Sequence, residues 1–207
     1  MIIGRPGTVA RVAFACIALI LAGCAATTLK TSWTDPRYQG PPLKKIMVVG
    51  VSNEADKRRI FEDEFVKQLN AAGVQAVQSY KFIPQSGKAE EALVKQAAQD
   101  SGADGVLITR FVRVDVNAAV APAYVFAPGM GGGFAGGYAG AWGGGYYDAP
   151  MAYQTDTLVL ETAVYGLNDT VLLWSGSTET FEPTSVQKDA PGLAKVIINA
   201  LKQQKLI

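Results

Sequence analysis

The sequence predicts an α/β (α+β) domain: one mixed sheet of about five strands, with three helices packed largely on one face. The predicted order is β-α-β-α-β-(Gly-rich loop)-β-β-α. Three observations carry this. "KKIMVVGVS" (44–52) is a continuous apolar run, as in a strand covered on both faces. Helical periodicity follows twice, at 56–72 and 88–101. Alternating or β-rich runs then return at 106–121, 155–167 and 171–181, before a last helical stripe.

The chain opens with a segment that precedes the domain. Arg5 and Arg11 are basic, and no acidic residue occurs before Asp35. Val12 to Leu21 ("VAFACIALIL") is an apolar run of ten, too short for a permanent bilayer span but of secretory-leader length. It ends in Leu21-Ala22-Gly23-Cys24. This tetrapeptide resembles the bacterial lipobox at all four positions. Small residues at 22 and 23 suit a narrow peptidase subsite, and Cys24 offers the thiol that receives a lipid. The resemblance implies a leader over 1–23 and a mature chain starting at a lipidated, N-acylated Cys24, with palmitate-like chains as membrane anchor. Ala25 and Ala26, with no aspartate beside the cysteine, resemble the default pattern for outer-membrane sorting, facing the periplasm. The alternative is an ordinary leader cleaved nearby.

Ala25 to Leu43 contains Pro36, Pro41 and Pro42 and no apolar period, so 24–43 is expected to be a lipidated tether, with Trp33 and Tyr38 able to dock on the body. One domain is expected over 44–207. In "DKRRIFEDEFVKQLNAA" (56–72), Phe61, Phe65, Leu69 and Ala72 form the apolar stripe, and Gly73 suits the C-terminal cap. "VQAVQSYKFI" (74–83) reads as a second strand. The helix at 88–101 puts Ala89, Leu93, Gln96 and Ala97 inward. In "VLITRFVRVDVNAAVA" (106–121), Ile108, Val112, Val114 and Val116 share one face, opposite Thr109, Arg113, Asp115 and Asn117. A hairpin turning at Asn168-Asp169-Thr170 follows. The last helix is capped by Thr184 or Ser185, and its stripe is Leu193, Ile197, Ala200 and Leu201.

Taken together, the lipobox, the Trp/Pro tether, "KKIMVVGVS", the amphipathic helix and "AAGVQAVQSY" resemble bacterial envelope lipoproteins. Their domain is similar to the amino-terminal domain of the TolB family and to the LpoB type of penicillin-binding-protein activator. The resemblance covers residues 44–110 best and contains no catalytic motif. It implies fold and compartment first, and as one functional expectation the regulation of a peptidoglycan synthase.

Charge and composition narrow the chemistry. Without the leader the chain keeps 17 basic and 18 acidic side chains, which does not suit a nucleic-acid partner. There is no histidine, so the usual general base and the commonest metal ligand are missing. Cys16 leaves with the leader and Cys24 is acylated, so no free thiol or disulfide is expected. No cofactor and no catalytic residue are expected. "GGGFAG" (131–136) fits the glycine pattern of dinucleotide sites, but no helix follows to receive a pyrophosphate. "SGK" (86–88) lacks the upstream glycine of a phosphate loop. Ser185-Val186-Gln187-Lys188 matches the Ser-x-x-Lys of serine β-lactamases without their other two elements, and a helix start accounts for it. An envelope hydrolase using Ser185 and Lys188 is therefore the weaker alternative. Gly50-Val51-Ser52 with Lys57, Arg58 and Arg59 could hold an anion, but a solvated helix face balanced by Glu62, Asp63 and Glu64 is the plainer account.

The insertion 127–149 is different in kind. Phe126, Met130, Phe134, Tyr138, Trp142 and Tyr146 recur every fourth residue among glycines and alanines. Ten glycines over 129–147 oppose a helix, at about 1 kcal/mol each relative to alanine. In an extended chain the even spacing would put all six on one face. The segment is either an interaction ribbon for a membrane, a partner protein or a second copy, or a passive insertion between strands. The expected function is therefore non-enzymatic: an outer-membrane lipoprotein whose domain binds or braces another cell-envelope component or self-associates.

Overall fold

A computed structural model of the chain describes residues 27–83, 90–116, 156–168 and 170–207. Cys24 and the six positions Phe126, Met130, Phe134, Tyr138, Trp142 and Tyr146 lie outside the described residues. The elements are β1 (Thr27–Thr34), β2 (Lys45–Val51), α1 (Ala55–Ala71), β3 (Gln75–Gln78), a 3-10 turn (Ser79–Lys81), α2 (Glu91–Asp100), β4 (Gly105–Val116), β5 (Asp156–Gly166), β6 (Leu172–Phe181) and α3 (Val186–Gln203). They form one mixed sheet of six strands in the order β1-β6-β5-β4-β2-β3, with β3, β2 and β4 parallel and the rest antiparallel.

The α/β class and the mixed sheet agree with the sequence, but the strand count rises from about five to six. The added strand comes from the expected tether. Thr27–Thr34 pairs antiparallel with β6, Thr27 opposite Thr180 and Thr34 opposite Trp174. No sequence period announces it, because an edge strand wet on much of its surface needs no apolar alternation. Trp33 and Tyr38 do dock, one against each core, and the Tyr38 hydroxyl donates to the Pro41 carbonyl at 2.7 Å.

The helices do not share one face. The buried side chains of α1 and α3, among them Phe65, Leu69, Leu193, Ile197 and Leu201, join Ile46, Val48, Leu107, Val164 and Trp174 on one side of the sheet. Val94, Ala97 and Ala98 of α2 cover Met47, Val49, Val106, Ile108 and Tyr165 on the other. Parallel crossovers allow either face, and β2 is apolar on both. The inward set of α2 also differs from the expected one: Leu93 is 41% exposed and Gln96 bonds Asp100 at the surface. Ala89 lies outside the described residues. α3 keeps its predicted stripe. Each large aliphatic side chain it buries contributes about 1.5–3 kcal/mol.

β4 contains the clearest departure from strict alternation. Phe111 pairs with Leu160 and Arg113 with Val159, so Val112 is an extra residue in a bulge. One inserted residue inverts the faces beyond it. The pairing puts Leu107, Thr109, Phe111 and Val114 on the α1/α3 side and Ile108, Arg110, Arg113 and Asp115 on the α2 side. Ile108 and Val114 therefore do not share a face. β6 needs a glycine where Trp174 folds back along it: a Cβ on Gly176 would collide with the indole ring.

Candidate functional site

β4, β5, β6 and β1 run on past the end of β2. Val51 ends β2 opposite Arg110, whereas β4 continues to Val116 and β6 to Phe181. α1 begins just after β2 and α3 just after β6, so both helix starts face this extension. Between them lies a cleft of about 820 Å³. Its floor is Thr109, Phe111, Leu158, Leu160 and Thr180; Ile60 and Phe61 line one wall and Val186, Ala190 and Leu193 the other.

The buried polar groups around the cleft are satisfied by one another. Thr109 and Thr162, 4% and 2% exposed, join hydroxyls at 2.9 Å across β4 and β5. Arg58 donates from Nε to Glu62 Oε1 at 2.8 Å and from Nη2 to Ser79 Oγ at 2.8 Å. Ser79 Oγ donates to the same Glu62 oxygen at 2.7 Å, and the N–H groups of Gly50 and Tyr80 complete the carboxylate at 3.0 Å each. The network ties the end of β2, the first turns of α1 and the turn after β3 into one rigid wall. A buried ion pair with its remaining lone pairs met avoids the cost of an unpaired charge.

This corrects the reading of Lys57-Arg58-Arg59 as a solvated face. Lys57 is solvated and pairs with Glu54 at 2.7 Å, and Arg59 lies over the Tyr80 ring at 5.8 Å. Arg58 and Glu62 are core residues, 4% and 0% exposed. The Gly50 N–H serves the Glu62 carboxylate, so it does not face an external anion. A signal was present: Arg58, Glu62, Phe65 and Leu69 follow a 4-3-4 spacing, which places the pair on the core stripe.

At the other wall, Ser185 caps α3 through its carbonyl, which accepts the N–H groups of Lys188 and Asp189. The Asp189 carboxylate accepts the N–H groups of Thr184 at 2.8 Å and Ser185 at 3.0 Å, an aspartate in the first helical turn that the sequence reading missed. Ser185 and Lys188 thus have places in a helix start, Lys188 pointing to solvent. "SGK" at 86–88 lies outside the described residues, as does "GGGFAG". Among the described residues no group of three or more Asp, Glu, Cys or His could hold a metal ion. No described helix is long and apolar enough to cross a membrane.

Two tyrosines have altered acidity. A hydrogen bond from the Tyr80 hydroxyl to Asp63, 2.7 Å, is the main cause that pushes its pKa up to about 12. Burial alone pushes Tyr165 up to about 12. Asp35 is held below the usual carboxylate range, chiefly by hydrogen bonds from Arg37. None of the three lines the cleft.

No protein-family model matches the chain, and no curated protein matches it. Distant structural similarity extends to the PelC dodecamer from Paraburkholderia phytofirmans, at 13% identity and a TM-score of 0.45 over 83% of this chain and 96% of that one. The lipoprotein GNA1162 from Neisseria meningitidis is similar at 14% identity and a TM-score of 0.39, over 77% of this chain and 96% of that one. The hypothetical protein CT253 from Chlamydia trachomatis follows at 8% identity and 0.32, over 78% and 91%. These are likenesses of overall fold.

Proposed function

We propose that this chain is a lipid-anchored protein of the outer membrane whose periplasmic domain holds another envelope component in the cleft between α1, α3 and the strand extension, without chemical turnover. The cleft is the observation that carries the reading. Its floor offers Phe111, Leu158 and Leu160 to an apolar segment, and its buried polar neighbours are committed to each other. Such a surface is shaped for burial of a partner side chain, because satisfied polar groups keep the walls rigid and leave apolar area as the driving force. The anchor rests on Leu21-Ala22-Gly23-Cys24.

The test compares the intact lipoprotein with Leu158→Asp after cross-linking in whole envelopes. Leu158 is a partly exposed floor residue, so the substitution puts a charge in the cleft without cutting the deep core. A partner recovered with the parent chain and lost with a Leu158→Asp variant of unchanged melting temperature supports the reading. Equal recovery would sink the cleft as the binding surface. If the recovered protein is a peptidoglycan synthase, the regulator reading suggested by the LpoB-type resemblance becomes the specific form of the function. Labelling by a serine-reactive probe is expected to be unchanged in Ser185→Ala, in line with the capping role of that residue.

A further inference from the structure

Resting on the lipid-anchor reading, the geometry points to a membrane-facing surface. We propose that the tip of the strand extension, where β1 begins and β6 ends, is seated against the bilayer surface with Phe181 in the headgroup region.

The argument starts from chain length. Cys24 is three residues before Thr27, the first residue of β1. Three Cα steps of about 3.8 Å hold Thr27 within about 11 Å of the acylated residue, however the intervening chain runs. Thr27 is fixed in the sheet, opposite Thr180, and their hydroxyls meet at 2.8 Å. Phe181 is the next residue of β6, and its ring is 48% exposed, the highest value among the exposed large apolar side chains described. Val114, 36% exposed, pairs with Leu158 in the same extension but on the opposite sheet face from Phe181, which pairs with Thr157. The tip therefore carries apolar side chains on both faces beside the point where the lipid must enter. Phenylalanine, like Trp and Leu, is a residue with which surface-bound segments bury their apolar face at the boundary of headgroups and acyl chains. The free reach expected of a 19-residue tether is absent, because β1 begins three residues after Cys24.

The surface has a defined opposite end. β5 spans Asp156–Gly166, about 35 Å at 3.4 Å per residue, and Lys45 Nζ bonds the Ser101 carbonyl at that far end. Gln99, exposed in the last turn of α2, marks it.

The lipidated full chain, purified from membranes and returned to vesicles of phosphatidylethanolamine and phosphatidylglycerol, tests the proposal. Dye is placed at Glu182→Cys or Gln99→Cys, and energy transfer is read to an acceptor-labelled lipid in the outer leaflet. Transfer several-fold stronger from position 182 than from 99 supports the seating; Gln187→Cys at the start of α3 serves as a second tip position if Glu182→Cys fails to fold. Equal transfer from tip and far end, with the chain still vesicle-bound, overturns the seating alone. Maleimide labelling of the parent chain mapped to Cys24, and not to Cys16 of a retained leader, would mean an unacylated Cys24 and would overturn the anchor reading together with the seating. A 15-residue Gly/Ser insert between Ala26 and Thr27, with a reach of roughly 20 Å, is expected to erase the difference between the two positions.

Discussion

Glu62 shows how much one side chain can decide. It accepts hydrogen bonds from Arg58, Ser79, Gly50 and Tyr80 while fully buried, so a truncation would leave the Arg58 guanidinium without its counter-charge. Glu62→Ala is expected to cost about 3–5 kcal/mol in urea unfolding of the unlipidated domain, the usual penalty for breaking one side of a buried pair. A loss below about 1 kcal/mol would mean that water replaces the carboxylate. Tyr165 makes a pH-dependent counterpart. Its phenol is 2% exposed, and burial lifts its pKa from 10.0 to about 12 in the folded chain. The neutral phenol favours the folded state, and this contribution is complete below pH 10. Between about pH 10 and 12 the unfolded tyrosine ionises while the folded one does not, so stability falls with rising pH. Tyr165→Phe is expected to lose less stability over that interval, measured as the shift of the urea midpoint.

Among the elements, those with one dominant signal were legible in the sequence and those with two competing signals were not. β2 and α3 read correctly because β2 is apolar on both faces and α3 has one unbroken stripe. β1 escaped notice because Pro36, Pro41 and Pro42 dominate its neighbourhood, while the pairing that makes it a strand is supplied by β6. The alternation of β4 was visible, but a bulge at Val112 leaves no mark in composition and inverts the second half. The cleft was not legible at all, since its walls meet only after β2, β4, β6 and the two helix starts come together. The insertion 127–149 can be tested as an element without reference to its conformation. Val116 and Asp156 are paired directly, so the 39 residues 117–155 close a loop between strands already in register. Deleting 127–149 leaves 16 of them, and the change in closure entropy is under about 1 kcal/mol. The unlipidated domain is therefore expected to melt within a few degrees of the parent. Loss of cooperative unfolding would show that the segment completes the fold, and unchanged folding with lost vesicle binding or self-association would assign its ring-bearing positions to contact.

For the whole molecule, the proposed anchor and the fold would be separable in energy but joined in geometry. The domain core is built from residues 29–207, so no described contact depends on the leader or on an acyl chain. On the proposed anchoring at Cys24, two or three acyl chains would supply membrane binding far beyond what Phe181 or Val114 could add, at about 0.8 kcal/mol per buried methylene. Under the same proposal, their position three residues before β1 would give the body its orientation, and with it the height of the cleft above the bilayer. Cys24→Ser separates these contributions. The variant is expected to keep its uncleaved leader, because the thiol that receives the lipid is gone, and to retain a carbonate-extractable association through residues 12–21 at most. Its domain, released by proteolysis before β1, is expected to melt within about 1 °C of the domain taken from the acylated protein, since no core contact has changed. A chain that keeps full membrane retention and leader cleavage after Cys24→Ser would place the anchor elsewhere. The cleft would then have to be explained without a fixed distance from the bilayer.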